Sequence, residues 1–411
     1  MTDQQKREWY VVGALTVSMF VVWGGGVNAA AVFLPPLIKA FGWSRAKVST
    51  LGAVAALVAG VSGPIVGWVL DRIDAGKVMI AGIAVAAFGF FAMSLAGSYS
   101  TFIWSNALIG IGLTAGTVIP TSLVVANWFG ARRGTALGIA FAGSSLGGTG
   151  MTVVASRAII SGGWRVGYVA MAVPMVVLAI PLLWAVVRTH PPDKETMSLE
   201  GVTAPEVPGL EVGEALRTRS LWLMSIVQLL SASLTSGAGA HFVAYLIGLG
   251  YKPASAAEVF SVFFILVTVG TLAIGPFVDR IGARVAMGAM FFACAVGMVF
   301  FLGAANLGVL SAFVLVYGTA VGAIGVLGPL VIVESLGVKR LGSLMGITGI
   351  FATAGFAIGP IVTGAIFDKT GSYTIALWSF VVMSIVAAFA ILACRPLDHE
   401  IASLAPQSKA A

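Results

Sequence analysis

The sequence predicts an all-α polytopic membrane protein: twelve transmembrane helices in two pseudo-symmetric six-helix halves. Three observations carry this. The chain is 59% hydrophobic and only 9% charged, where a soluble domain carries about 25% charged residues. Long stretches hold no charge at all, notably 78–128 and 285–333, and each accommodates two spans of about 20 residues. Finally, the chain repeats itself. GWVLDRIDAGK, Gly67 to Lys77, returns as GPFVDRIGAR, Gly275 to Arg284, displaced by 208 residues (279 minus 71). The same displacement carries Gly42 onto Gly250, Gly110 onto Gly318, Gly134 onto Gly342, Gly138 onto Gly346 and Gly147 onto Gly355. A period this long marks two duplicated membrane halves and not a solenoid.

Composition also excludes. The net charge of +7 comes from basic residues between spans, so it indicates membrane topology and no nucleic-acid partner. Cys294 and Cys394 lie in apolar spans, without metal-ligand spacing or a disulfide framework. No phosphate loop is present, and the one G-x-S-x-G string, Gly143 to Gly147, lies inside an apolar span and not at a strand-to-helix elbow. The expectation is therefore no enzyme chemistry, no cofactor and no metal.

The spans fall at about 10–38, 47–70, 77–96, 100–127, 133–159, 165–187, 220–249, 256–278, 285–303, 307–333, 341–367 and 373–394. The apolar run after MTDQQKREWY is too long for a signal-peptide core, so it reads as a retained first span. These limits give an N-terminal half at 1–187, a linker at 188–219, a C-terminal half at 220–395 and a tail at 396–411. The linker carries Pro191, Pro192, Pro205 and Pro208 with six of the sixteen acidic residues, as a solvated connection does. Its last part, Val212 to Arg219, suits a short amphipathic helix. With the N-terminus inside, sixteen of the 23 Lys and Arg residues fall on the inner face. The seven outer ones are Lys39, Arg45, Lys47, Arg157, Arg165, Lys252 and Lys369. Both termini are thus expected in the cytoplasm. Glycines cluster in spans five and eleven, where small residues let helix backbones approach or slide.

The duplicated G-x-x-x-D-R-x-G-x-[KR] loop resembles that of the major facilitator superfamily across essentially the whole chain. The resemblance implies a cytoplasmic gate at Gly67, Asp71, Arg72, Arg132, Arg133, Gly275, Asp279, Arg280 and Glu334, with Glu334 expected to pair with Arg280. The first copy departs at Asp74, where the second has Gly282. Two stretches, AVFLPPLIKAFGWSRAKVS at Ala31 to Ser49 and NWFGARRGTALGIAFAGSSLGG at Asn127 to Gly148, resemble the monocarboxylate-porter branch and its bacterial relatives, the oxalate–formate exchangers. That branch implies a small carboxylate substrate such as lactate or pyruvate, often with a proton. Aligned through Val48 and Ser49, Asn28 occupies the place of the lysine that animal members carry. The branch's charges inside spans eight and eleven are absent here: span eight has only Glu258, at its outer end, and span eleven none.

No acidic residue lies mid-span. An ionisable group inside a membrane is a functional candidate by default. That leaves His241, the only histidine in a span, and Arg157 near the outer end of span five. The expected substrate contacts are Asn28, Thr117, Ser144, His241, Tyr245, Tyr317 and Thr348, on spans one, four, five, seven, ten and eleven. The reading is a secondary transporter of a small organic anion. It would act as a monomer in the cell inner membrane, with a proton as candidate coupling ion. An exporter of neutral or amphipathic compounds and a receptor-like member of the same fold stand as alternatives.

Overall fold

The computed structural model describes residues 3–190 and 208–404. Most of the expected linker, with Lys194 and Glu206, and the end of the tail lie outside them. The chain divides into two compact units, Met1–Glu206 and Val207–Ala411. Apart from one isolated bridge between Gly209 and Gly337, the described residues are helices and short turns.

In the first unit α1 covers Asp3–Phe41, α2 Arg45–Leu70, α3 Ala75–Leu95, α4 Tyr99–Trp128 and α5 Arg133–Val186. In the second, a short α6 (Val212–Ala215) precedes α7 (Arg219–Gly248), α8 (Pro253–Ile281), α9 (Ala283–Leu302), α10 (Leu307–Leu336), α11 (Leu341–Thr370) and α12 (Thr374–Leu392). A terminal α13 covers Leu397–Leu404. Eleven of these helices are long and apolar enough to span a membrane. The twelfth span is inside α5, a run of 54 residues that holds spans five and six. A single residue, Gly163, breaks it at φ 78° and ψ 179°, a conformation essentially confined to glycine. The short loop expected there is thus a one-residue joint.

Helix starts follow capping chemistry. Ser44, Ser98, Thr218 and Asn306 accept backbone N–H groups at the starts of α2, α4, α7 and α10. Ser98 and Asn306 stand at the 208-residue displacement. Irregularities inside spans also have local causes. Pro35 and Pro36 remove two donors and crowd the carbonyls one turn back, and the preceding Asn28–Phe33 tightens to a 3-10 helix. Pro120 acts likewise on α4, which breaks at Thr117 (φ −130°, ψ −105°).

The glycines account for the tightest packing. A Cβ on Gly147 of α5 would run into the Phe20 carbonyl of α1, and one on Gly355 of α11 into the Leu229 carbonyl of α7. A Cβ on Gly110 would meet the Ala55 carbonyl, and one on Gly318 the Phe263 carbonyl. Ala55 and Phe263 are themselves 208 residues apart, so the duplication preserved this α2–α4 crossing as α8–α10. Static backbone approach is sufficient reason for Gly147, Gly355 and Gly110, while at Gly318 an added Cβ would stand 3.2 Å from the Phe263 carbonyl, a looser approach. On its exposed face α2 carries Leu57, Val61, Ile65 and Trp68, the apolar stripe of a membrane helix.

Candidate functional site

Each half presents polar groups within its own bundle. In the N-terminal half, the 3-10 stretch of α1 leaves Asn28 exposed. Its amide donates to the Ser144 carbonyl of α5 at 3.1 Å, bringing together two expected substrate residues. The Ser144 hydroxyl turns back to Phe141 O at 2.7 Å. Thr117 is buried at the α4 break and donates to Leu113 O at 2.6 Å.

In the C-terminal half, His241 of α7 is half-buried. One ring nitrogen lies 3.2 Å from the Tyr373 hydroxyl and the other 3.1 Å from the Pro360 carbonyl of α11. Tyr373 stacks on Phe367 at 4.3 Å and meets Tyr245 edge-on at 5.8 Å. The Tyr245 hydroxyl donates to Phe301 O at 3.1 Å. His241 and Tyr245 thus share one polar aromatic site through Tyr373. Tyr317 lies elsewhere, buried and stacked on Phe313 at 5.2 Å and Phe263 at 5.7 Å. Its hydroxyl makes no hydrogen bond of ordinary geometry, and the Thr235 side chain is the polar group that interacts with it. Thr348 is buried and donates to Leu344 O at 3.1 Å. Back-bonding of this kind satisfies a hydroxyl without a ligand.

Pairing at the expected gate differs from expectation in one respect. Glu334 pairs with Arg284, not Arg280: Arg284 Nε is 2.7 Å from its carboxylate. The same carboxylate accepts the backbone N–H groups of Ala283 at 2.7 Å and Arg284 at 3.2 Å, so it caps α9 from α10. Arg284 Nη1 also donates to Cys394 O at 2.6 Å. Arg280 is exposed. Arg284 lies one turn beyond Arg280, and α9 begins there at Gly282, which has no side chain to cap the helix. The first half solves the same problem with its own residue. Asp74 accepts Lys77 N at 3.2 Å, Thr189 N at 2.8 Å and the Thr189 hydroxyl at 3.1 Å. The departure from the repeat at Asp74 and Gly282 is therefore an exchange of one helix cap for another.

Gly67 accepts the Asp71 N–H at 3.1 Å where α2 ends, and Gly275 is buried in α8. Asp71 and Asp279 are half-buried, each with interaction partners. Arg72 lies 3.8 Å over the Trp68 ring. Arg133 donates to Ala126 O at 3.1 Å and Phe129 O at 2.6 Å, closing the end of α4. Arg132 borders a cleft of about 260 Å³ with Gln5, Glu8, Trp9 and Trp128. Its displaced counterpart Arg340 binds Glu211 through two nitrogens, at 2.7 and 3.2 Å, with Lys339 3.4 Å away. Hydrogen bonding from Arg340 first, then its charge and Lys339, hold the Glu211 carboxyl below the usual carboxylate range.

Sequence reasoning missed Tyr373, Arg284 and Gln228. Tyr373 carries no local signal, whereas Arg284 closes the G-x-x-x-D-R-x-G-x-[KR] motif. Gln228 is the only Asn or Gln inside α7 to α12, a visible signal. Its side chain borders a cavity of about 10 Å³ beside Gly328, room for one water.

Two duplicated six-helix halves, with matching crossings and capped turns between their second and third helices, define the class of membrane transporters built from parallel repeats. The chain belongs to the Major Facilitator Superfamily, whose family model matches residues 15–258 and 248–410. It is an integral membrane transporter and not an enzyme. Monocarboxylate transporter 13 of Bos taurus is 25% identical over 98% of this chain and 92% of that protein. The MFS-type transporter YcxA of Bacillus subtilis is 22% identical over 91% of each. An MFS-type transporter of Gibberella moniliformis is 24% identical over 80% of this chain and 77% of its own. Among solved structures, the human organic anion transporter MFSD10 superposes with TM-score 0.72 at 14% identity, covering 93% of this chain and 99% of its own. The Escherichia coli fucose:proton symporter FucP gives 0.69 at 14%, covering 93% and 98%. At these identities the structures establish the fold alone.

Proposed function

We propose that this protein carries a small organic anion of the monocarboxylate class across the membrane by alternating access, coupled to a proton at His241. The observation that supports it most is the near full-length similarity to monocarboxylate transporter 13, in a chain whose spans hold no mid-membrane carboxylate. Neutral His241 is satisfied on both sides: Nε2–H donates to Pro360 O, and Nδ1 accepts from the Tyr373 hydroxyl. Protonation places a hydrogen on Nδ1, so the Tyr373 oxygen becomes the acceptor. Its own O–H is then released toward a new partner. One proton thereby supplies both a positive charge and a free donor, the two things a carboxylate needs. Loss of the proton withdraws both and releases the anion. In the N-terminal half, Asn28 spends one amide N–H on Ser144 O and keeps the second N–H and its amide oxygen. The gate is the pair of inner turns around Asp71 and Asp279.

His241→Gln is expected to abolish accumulation driven by a pH gradient in proteoliposomes, by at least about tenfold, while counterflow of lactate persists. Parent-like accumulation in His241→Gln would make the histidine structural. Tyr373→Phe is expected to raise KM and leave the fold intact. The lack of charge in span eleven favours a second reading, export of neutral or amphipathic compounds. Thermal stabilisation by such compounds and not by carboxylates would select it.

A further inference from the structure

We propose that the end of the N-terminal half remote from the chain terminus is an anion-recruiting surface, built from cations held in place by aromatic rings. Its use in transport rests on the anion reading above, and its outward orientation on the Lys and Arg distribution.

Lys39, Lys47, Arg157 and Arg165 all lie at this end and are exposed. Between Glu8 and Asp193 the only acidic residues are Asp71 and Asp74, and both sit at the inner turn of the half. Among the described residues, none of the four cations forms an ion pair. Two of them are instead fixed by aromatic faces. Lys47 Nζ is 4.6 Å from the Tyr99 ring centre and 5.4 Å from that of Trp43, while the Tyr99 hydroxyl donates to Lys47 O at 3.0 Å. Arg165 lies 4.1 Å over Trp164 and donates to Ala96 O at 3.2 Å. Phe41 joins the two sides, 4.4 Å from Trp43 and 5.4 Å from Trp164. Both cations therefore flank the Ala96–Tyr99 turn that opens α4.

The manner of holding matters. A carboxylate partner would cancel the field of each cation, whereas a ring quadrupole attracts the cation and leaves its net charge intact. These side chains are positioned without being neutralised, on a face where topology disfavours basic residues. Five of the seven outer cations of the whole chain belong to this half. Unpaired like charges around an entry raise the local concentration of oppositely charged solutes, here small anions such as carboxylates.

The test reads local potential directly. Ser100 is exposed on the first turn of α4, and the native cysteines are buried, so Ser100→Cys supplies one reactive thiol. In phosphatidylcholine vesicles, its rate with a sulfonate-bearing thiosulfonate is compared with that of the trimethylammonium analogue. The anionic-to-cationic rate ratio is expected to fall about threefold in Lys47→Gln/Arg165→Gln at ~0.1 M salt. That is the size expected for two charges about 10 Å away across water with one Debye length of screening. Lys39→Gln/Arg157→Gln, which leaves the aromatic packing untouched, is expected to lower the ratio too, and it decides the matter if the first variant misfolds. Equal ratios in parent and variants would overturn the surface. KM for L-lactate uptake is expected to rise about 1.7-fold, the square root of the ratio change because one monovalent anion feels the potential once, with kcat unchanged. An unchanged KM alongside a lowered ratio would overturn recruitment. Absence of any lactate transport by the parent would instead sink the substrate reading, and the reagent ratio would still decide the surface.

Discussion

Glu334→Ala is expected to destabilise the purified protein more than any other single charge removal in the C-terminal half. The substitution removes the ion pair with Arg284 and withdraws the acceptor from two backbone N–H groups at the start of α9. It also strands Arg284, which keeps only Cys394 O. Breaking one side of a buried pair costs about 3–5 kcal/mol. Here the side chains of Arg284 and Glu334 retain 21% and 28% exposure, so water offsets part of that and the expected loss is ~2–3 kcal/mol. Glu334→Gln keeps an acceptor and should lose less. Arg280→Ala, at an exposed site, should lose almost nothing. Thermal melting in detergent separates the three, and equal melting of Glu334→Ala and Arg280→Ala would show that the cap carries no stability.

The second large effect is expected at Gly147. An added methyl would lie inside the Phe20 carbonyl, so α1 and α5 must part along their crossing. Overpacking of this kind costs about 1–3 kcal/mol, and rigid backbone, unlike a flexible side chain, cannot yield locally. Gly355→Ala should behave alike against Leu229. Gly349, also on α11, faces open space, so Gly349→Ala should gain up to ~1 kcal/mol from helix propensity. Size-exclusion profiles after heating provide the measurement. Parent-like behaviour of Gly147→Ala would mean that the crossing is loose.

Much of the fold is legible because the displacement of 208 residues is a contact map in disguise. Gly110 and Gly318 repeat with the residues they touch, and Ser98 and Asn306 repeat as caps. The joint at Gly163 is not legible, since Gly162 and Gly163 read as a loop and nothing local shows that helix resumes at once. Arg280 and Arg284 lie one turn apart, and only the placement of α10 decides which one Glu334 meets. The site is less legible still. Hydroxyls such as Thr117 and Thr348 look available in sequence and are spent on carbonyls of their own helices. The partner that defines His241 is a tyrosine 132 residues away.

The bridge between Gly209 and Gly337 bears on where the chain can be cut. Pro208 O accepts Val338 N at 2.9 Å and Leu210 N donates to Leu336 O at 3.0 Å, with Glu211 locked to Arg340 just beyond. On the other side, Trp128 Nε1 holds Arg188 O at 2.8 Å and Asp74 holds Thr189. Each half therefore owns a finished edge, Thr189 for one and Pro208 for the other. Tolerance of a break depends on the hydrogen bonds of the backbone it severs. Two fragments divided at residue 200 keep both edges and should reassemble into a folded complex when co-expressed. Fragments divided at Gly213 strip the second half of its Gly209 bridge and its Glu211 clamp, and should not.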